Sequence, residues 1–135
     1  MRTYSLTIKG TPEPKGRPRF MNGHAVTPEK TRRYERMVRA LWLSEHKECL
    51  FGDVAVRLEF YMPIPTSWSK RKQGQARAGA IRPAVRPDID NLVKAVLDGL
   101  NETAYTDDKQ IISLMAEKYY SDEPRTEVLI MEVEH

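Results

Sequence analysis

The chain has 135 residues, with 22 Lys and Arg against 19 Asp and Glu and a formal net charge of +3. This length fits one domain with a single modest core. No apolar run approaches the roughly 18–20 residues of a membrane span, and the first residues lack the apolar stretch of a signal peptide. The lone Cys49 excludes an internal disulfide bond, so we expect a protein of the reducing cytoplasm.

The charges are segregated along the chain. Residues 9–39 hold nine Lys or Arg against three Glu, and residues 63–87 hold six Lys or Arg and no acid. Residues 88–135 hold four Lys or Arg against twelve Asp or Glu. Basic segments favour binding to a polyanion, and an acidic segment can hold a divalent metal. An ordinary solvated surface is the alternative for each charged segment taken alone.

The N-terminal half predicts two strands separated by a loop and a helix. Apolar and polar residues alternate over residues 3–8 and over 53–62, as in half-buried strands. Residues 9–26 hold three Gly and three Pro and predict a loop. Thr27 followed by Pro28 predicts a helix start with Thr27 as the N-cap, and the helix should run to about residue 47. Its buried stripe is expected to consist of Tyr34, Met37, Val38, Leu41 and Trp42.

The segment that follows is basic and poor in bulky apolar residues. Residues 63–87 hold four Pro, two Gly and six Lys or Arg, so the segment is not expected to order itself around a core. The sequence therefore predicts a long flexible loop at about 66–86. Its one large aromatic residue, Trp68, has two interpretations. It anchors the loop on the domain, or it stacks against an unpaired base.

The last third predicts a helix and two strands. The helix should begin near residues 88–90 and end near Asn101, and the strands should cover about 109–120 and 127–133. The element order is then β-α-β-α-β-β. We expect an α+β fold, with residues 1–135 forming one two-layer domain whose helices pack on a mixed or antiparallel sheet.

Three carboxylates and one lysine stand where the second helix and the following strand begin. Asp88 and Asp90 lie at the predicted helix start, Lys94 follows one turn later, and Asp108 opens the predicted strand. Carboxylates gathered in this way repel one another unless a cation lies between them, and hard ions such as Mg²⁺ or Mn²⁺ prefer oxygen ligands. Lys94 is placed to contact a phosphate. The pattern predicts a metal-assisted phosphodiester site.

Two structural alternatives stand beside this hypothesis. Asp88 or Asp90 can be an N-cap, and Asp90, Lys94 and Asp98 can form a surface ladder of charges spaced four residues apart. The three histidines are dispersed, which gives no support for a zinc site or for histidine-based catalysis.

The segment Arg86-Pro-Asp-Ile-Asp-Asn-Leu-Val-Lys-Ala-Val-Leu-Asp98, followed by Asp107-Asp-Lys-Gln-Ile111, resembles the signature of the RusA-type Holliday junction resolvases. The segment Pro14–Phe20 and the overall length are also similar to members of this family of endodeoxyribonucleases, which is common in phages and prophages. The resemblance implies a Mg²⁺-dependent homodimer that introduces paired, symmetric nicks in four-way junction DNA. It also implies that Asp88, Asp90 and Asp108 are the metal carboxylates and that Lys94 is the catalytic lysine.

The basic residues are the candidate contacts to DNA phosphate. They are Lys15, Arg17, Arg19, Arg32, Arg36, Lys70, Arg71, Lys72 and Arg86. We expect neither a membrane partner nor a small organic cofactor. Two other functions stay open, namely a catalytically silent junction- or duplex-binding protein and a small metal-dependent nucleotide phosphohydrolase. The second would need a nucleotide pocket, and the sequence holds no Gly-rich phosphate loop.

Overall fold

The computed structural model describes residues 2–135 and has the predicted α+β architecture. The six predicted elements occur in the expected order, and the described chain adds a short hairpin and a third helix. The strands are β1 (Thr3–Lys9), β2 (Arg19–Met21), β3 (His24–Val26), β4 (Val54–Pro63), β5 (Ile111–Ser121) and β6 (Arg125–Glu132). The helices are α1 (Glu29–Glu45), α2 (Lys70–Arg77) and α3 (Ile89–Leu100).

The main sheet has four strands in the order β1-β6-β4-β5. Strand β6 is antiparallel to both β1 and β4, whereas β4 and β5 run parallel. The mixed sheet confirms the predicted fold class. Because the β4–β5 pair is parallel, the chain must cross over between the two strands, and this crossover carries α2 and α3.

One face of the sheet forms the core together with α1 and α3. The alternation predicted for the first strand and for β4 is confirmed, because every second side chain of both strands is buried. Helices α1 and α3 approach each other closely at Gly99, where an added Cβ atom would lie 2.9 Å from the Cβ atom of Val38. A side chain at position 99 therefore has no room, and the backbone of α3 packs directly against the Val38 side chain of α1.

Helix α1 differs from its prediction in two details. Tyr34, Val38 and Trp42 are buried as expected, but Met37 is 38% exposed at the edge of the stripe. The N-cap is Pro28 and not Thr27, and no side chain caps the first turn. Glu29 in that turn provides a negative charge that is favourable beside the positive end of the helix dipole.

The predicted loop over 66–86 contains the helix α2, so the expectation of a loop is wrong for residues 70–77, while the flanking residues have no regular secondary structure. The side chain of Ser69 caps the helix by accepting a hydrogen bond from the backbone N–H of Lys72 at 3.2 Å. Ala76 is buried, and the ring of Trp68 lies edge-on to Tyr120 with 5.3 Å between centroids. This contact supports the anchoring interpretation of Trp68. A helix cap and one aromatic contact stabilise a segment whose composition predicted disorder.

The predicted loop over 9–26 contains the hairpin β2–β3. Asn22 and Gly23 form its two-residue turn, and both have positive φ angles, of 52° and 79°. An Asn-Gly pair is the usual sequence of such a turn, so the hairpin had a signal that the Gly and Pro content obscured.

The C-terminal elements follow the prediction with one local difference. Asp108 does not open the strand but begins a single 3₁₀ turn, Asp108–Gln110, which precedes β5. Among residues 2–135, none of the helices is both long enough and apolar enough to cross a lipid bilayer.

Candidate active site

Helix α3 presents the predicted polar stripe to solvent. Asp90, Asn91 and Lys94 are exposed, whereas Leu92, Val96 and Leu100 of the opposite side are buried. Asp88 is the N-cap residue by backbone position, but its side chain makes no capping hydrogen bond. The capping alternative for the Asp88 carboxylate therefore finds no support, and the carboxylate is available for another partner.

Asp90, Lys94 and Asp108 line one open cleft between α3 and β5, which we name the α3 cleft. Its volume is about 400 Å³. The residues that line it are Ile89, Asp90, Val93, Lys94, Leu97, Asp98, Asp108, Leu114 and Ala116. The fold thus brings the start of the 3₁₀ turn back beside α3, as the two-layer prediction required.

Asp88 lies outside the α3 cleft but next to it. A second cleft of about 860 Å³, the turn cleft, is lined by both Asp88 and Asp90 together with residues 82–86 and β5. Asp90 therefore lies between the two clefts and borders both. Within residues 2–135, no three Asp, Glu, His or Cys side chains stand close enough together to form a metal site by themselves. The three predicted carboxylates therefore line two adjoining clefts and do not form one tight cluster.

The 3₁₀ turn assigns different roles to the two adjacent acids Asp107 and Asp108. The Asp107 carboxylate caps the turn by accepting the backbone N–H of Lys109 at 2.9 Å, and the side chain of Gln110 returns to the backbone N–H of Asp107 at 2.8 Å. The amide of Gln110 also donates to the backbone oxygens of Leu50 and Gly52, both at 2.8 Å. Asp107 is thereby engaged in the turn, and Asp108 is the acid that faces Lys94.

The local charges displace the pKa values of both acids. The backbone N–H of Lys109 lowers the pKa of Asp107 below its ordinary value. The pKa of Asp108 is raised, first by its hydrogen bond with Asp107, and further by partial burial and by the negative charge of Asp98; the positive charge of Lys94 acts in the opposite direction. The charges of Asp107 and Asp98 contribute a negative potential at Asp108, and such a potential attracts a cation.

Lys118 on β5 supports the turn that carries Asp88. Its ammonium donates hydrogen bonds to the backbone oxygens of Val85, at 2.6 Å, and Pro87, at 2.7 Å. Burial lowers the pKa of Lys118, while the charge of Asp88 acts to raise it. Lys118 therefore connects the residue before the acidic motif to the central sheet.

The α3 cleft suits a small divalent cation. Mg²⁺ is usually bound through one or two carboxylates and keeps several water ligands, so it does not need three protein ligands. Asp90 and Asp108 provide two carboxylates on one solvent-open cleft. The oxygen donors and the open geometry fit a hydrated Mg²⁺ or Mn²⁺ ion better than zinc.

Two predicted DNA contacts lie beside the acidic residues. Arg17 and Arg86 line a third cleft, of about 550 Å³, together with Asp88. Arg19 follows Arg17 by two residues in the same N-terminal segment. Lys15 also borders the third cleft, but its ammonium lies 2.6 Å from Glu35 Oε2 and 2.9 Å from Asp98 Oδ2. The expectation that Lys15 contacts DNA phosphate therefore finds no support in this geometry, because two carboxylates already neutralise it.

The remaining predicted contacts are exposed on two helices. Arg32 and Arg36 on α1 each lie 3.0 Å from a carboxylate oxygen of Glu29, and both side chains are more than half exposed. The basic residues of α2 are exposed as well, and one of them lies over the ring of Trp68 at 4.1 Å. The predicted contacts among them are Lys70, Arg71 and Lys72, whereas the fourth basic residue of α2, Arg77, pairs with Asp122.

Sequence reasoning missed Lys118, Gln110 and the contact partner of Lys15. Lys118 and Gln110 act through hydrogen bonds to backbone atoms 31–33 and 58–60 residues away, and Lys15 reaches Glu35 over 20 residues. No local sequence pattern indicates such contacts, because they depend on which elements become neighbours in the fold.

The chain is similar to known proteins over nearly its whole length. The family model described as Endodeoxyribonuclease RusA matches residues 9–131. A relative from Bacillus subtilis (strain 168), described as "Uncharacterized protein YqaN", is 40% identical over 141 residues, which cover 98% of this chain and 99% of the relative. The chain therefore belongs to the RusA family of endodeoxyribonucleases.

Proposed function

We propose that this protein is a Mg²⁺-dependent endonuclease that resolves four-way DNA junctions by paired, symmetric nicking. The observation that carries the proposal is the convergence of Asp90, Lys94 and Asp108 on one open cleft in a chain of the RusA family. Carboxylates that can bind a metal ion and an exposed lysine around one cleft are groups that can support phosphodiester hydrolysis.

Each side chain has a proposed part in the reaction. Lys94 is 61% exposed, and its ammonium is available to a phosphate oxygen in the cleft, where it would stabilise the negative charge that develops during the reaction. Arg17 and Arg86, beside Asp88, would hold the DNA backbone at the edge of the site. Lys118 keeps the turn of Asp88 in place through two hydrogen bonds.

Asp90 and Asp108 are the proposed ligands of the metal. Asp88, which lines the adjoining turn cleft, is the third proposed carboxylate of the site. A Mg²⁺ ion held by these carboxylates would supply Lewis-acid chemistry for the phosphodiester and for the attacking water. Asp107 is not a proposed ligand, because its carboxylate caps the 3₁₀ turn.

We propose further that the protein acts as a homodimer. A junction that is cut symmetrically requires two active sites related by a two-fold axis. The edge strand β5 exposes apolar side chains that a second subunit would cover, and these include Ile112 and Met115. Sedimentation that finds only monomer at micromolar concentration, together with complete junction resolution, would contradict the dimer.

The test is cleavage of a four-way junction beside linear duplex and nucleoside triphosphates, each with and without Mg²⁺. We expect paired nicks in the junction alone, and only with metal. Asp90→Asn should abolish nicking while junction binding persists, because binding depends on Arg and Lys contacts to phosphate. The protein should be as stable as the wild type, or slightly more stable, in metal-free buffer, since a like charge is removed. Substantial Mg²⁺-dependent cleavage by pure Asp90→Asn protein would remove this residue from the site.

One observation favours a second function, that of a catalytically silent DNA-binding protein. The described chain holds no cluster of three metal-ligating side chains, while its predicted DNA contacts other than Lys15 are exposed. The same assay separates the two functions, since a silent protein would bind the junction and leave it uncut at every Mg²⁺ concentration.

A further inference from the structure

Two lysines share one oxygen of Asp98. Asp98 Oδ2 lies 2.9 Å from the ammonium of Lys15 and 3.7 Å from that of Lys94. The ammonium of Lys15 also lies 2.6 Å from Glu35 Oε2. The two ammonium groups and two carboxylates balance in formal charge. Asp98 links the partly buried pair of Lys15 and Glu35 to Lys94 in the candidate active site.

The position of Lys15 is fixed by its backbone as well as by its ion pairs. Its backbone N–H donates to the oxygen of Asn91 on α3 at 2.9 Å, and the next residue, Gly16, donates to the Thr31 hydroxyl on α1 at 3.0 Å. The N-terminal segment is therefore bonded to both helices at this point. Three groups therefore hold Lys15 itself, namely the carboxylates of Glu35 and Asp98 and the backbone oxygen of Asn91, whereas a freely mobile surface lysine has no such constraint.

The two ion pairs of Asp98 differ in length and in exposure to solvent. The Lys15 side chain is 18% exposed and that of Glu35 is 19% exposed, whereas Lys94 is 61% exposed. Burial lowers the pKa of Lys15, but the hydrogen bonds with Glu35 and Asp98 outweigh this effect and the pKa is raised overall. Lys15 thus stays charged and takes the closer contact with Asp98, which leaves Lys94 with the longer one.

We propose that Lys15 is a positioning residue that keeps Lys94 available to the substrate phosphate. By neutralising most of the charge of Asp98, Lys15 prevents that carboxylate from holding Lys94 in a close ion pair. Asp98 still orients Lys94 from one helical turn away, as residues four apart on a helix are neighbours. This inference rests on the proposed function, because it assigns Lys94 a substrate to bind.

A purely structural role is the competing explanation. Lys15 would then only fasten the N-terminal segment to α1 and α3, and its loss would lower stability without a specific effect on Lys94. The two explanations differ in what a second substitution does. If Asp98 sequesters Lys94 when Lys15 is absent, neutralising Asp98 should release it. If the contacts are only structural, a second substitution in the same group should add damage or change nothing.

The test is the single-turnover rate on a four-way junction at saturating protein and Mg²⁺. Lys15→Met should lower this rate by roughly tenfold or more, with junction affinity changed by less than about threefold, because the effect falls on the chemical step. Asp98→Asn in the Lys15→Met background should raise the rate again by roughly fivefold or more, since the competing carboxylate is gone. Lys47→Met is the matched control, because Lys47 is an exposed lysine outside the site.

Glu35→Gln provides an independent variant in case Lys15→Met folds poorly. It removes the other partner of Lys15 and leaves Asp98 as the only carboxylate within 4 Å of its ammonium. Lys15 should then neutralise Asp98 at least as well as before. The rate of Glu35→Gln is therefore expected at or above that of the wild type, although stability should fall because a half-buried ion pair is lost.

The outcomes separate the inference from the function beneath it. Wild-type protein that leaves junctions uncut in Mg²⁺ overturns the proposed function. If the wild type cuts, a Lys15→Met rate equal to that of Lys47→Met overturns the positioning role. So does a slow Lys15→Met variant that Asp98→Asn fails to rescue, and so does a Glu35→Gln rate below that of the wild type.

Discussion

Replacing Lys118 by Met should loosen the turn that carries Asp88. Methionine has a similar length and an apolar stem, but it donates no hydrogen bond. The substitution removes both contacts of the ammonium, at 2.6 Å to Val85 and at 2.7 Å to Pro87. Lys118 stands opposite Phe60 in the parallel β4–β5 pair, so its side chain extends from the central sheet to the turn.

The size of the stability effect follows from these contacts. A hydrogen bond from a charged group contributes about 1.5–3 kcal/mol, but both carbonyls lie near solvent and can be rehydrated. Burial that lowers the pKa of Lys118 shows that the ammonium also loses hydration, which offsets part of the gain. We expect a loss of about 1–2 kcal/mol, or a fall in Tm of roughly 2–8 °C for a domain of this size.

The effect on activity should exceed what this loss of stability explains. A displacement of the Asp88 turn by about 1 Å can cost up to roughly 10²-fold in rate, and we expect about tenfold for Lys118→Met under single-turnover conditions. Half-maximal activity should also require more Mg²⁺, because Asp88 borders the proposed metal site. The assay compares Lys118→Met with Lys47→Met well below both Tm values. A fall in Tm with an unchanged rate and Mg²⁺ requirement would show that Lys118 supports the fold alone.

Three further predictions concern Lys94, the basic residues of α2 and Lys15. Lys94→Met should lower the single-turnover rate by roughly 10²-fold or more, since the lysine stabilises charge at the reacting phosphate; a near wild-type rate, with a loss of at most about 0.5 kcal/mol, would instead identify a surface ladder. Changing Lys70, Arg71 and Lys72 together to Ala should preserve α2, because Ala favours helix, and should reduce the log–log salt slope of junction binding by roughly 0.9 for each lost phosphate contact. The raised pKa of Lys15 means that its contribution to stability is complete below the unfolded value of 10.5 and is lost as pH rises through the higher folded value. The Tm difference between wild type and Lys15→Met should therefore stay constant from pH 7 to 9 and shrink above pH 10.5, and a difference that shrinks between pH 7 and 9 would contradict this assignment.

Much of the fold could be predicted because hydrophobic periodicity reports burial directly. The alternation in β1 and β4 and the stripes of α1 and α3 follow from one side of each element facing the core. Helix α2 escaped prediction for the opposite reason. It buries one small residue, Ala76, and its stability depends on a cap at Ser69 and on Trp68 meeting Tyr120, which lies 52 positions further along the chain.

The candidate site also contains features that the sequence could predict and features that it could not. The spacing of Asp90 and Lys94 on one helix face could be read from the sequence, and the predicted two-layer fold allowed α3 to meet Asp108 without requiring it. The engagement of Asp107 in a cap and the neutralisation of Lys15 could not be predicted. Both depend on partners such as Gln110 and Glu35, whose side chains have many rotamers, and the fold alone decides which neighbour they reach.

The close contact at Gly99 has a consequence for how substitutions in this protein will be interpreted. A Cβ atom there would lie 2.9 Å and 3.0 Å from two atoms of the buried Val38, and its third neighbour, at 3.4 Å, is the Cα atom of Glu35. Valine has little rotamer freedom in a helix, so the helices themselves must separate. Separation moves Glu35 away from Asp98, the residue beside Gly99, and so disturbs the charges next to Lys94. A mutational scan scored by activity alone would therefore rank Gly99 with the reacting groups, although it has no side chain with which to react.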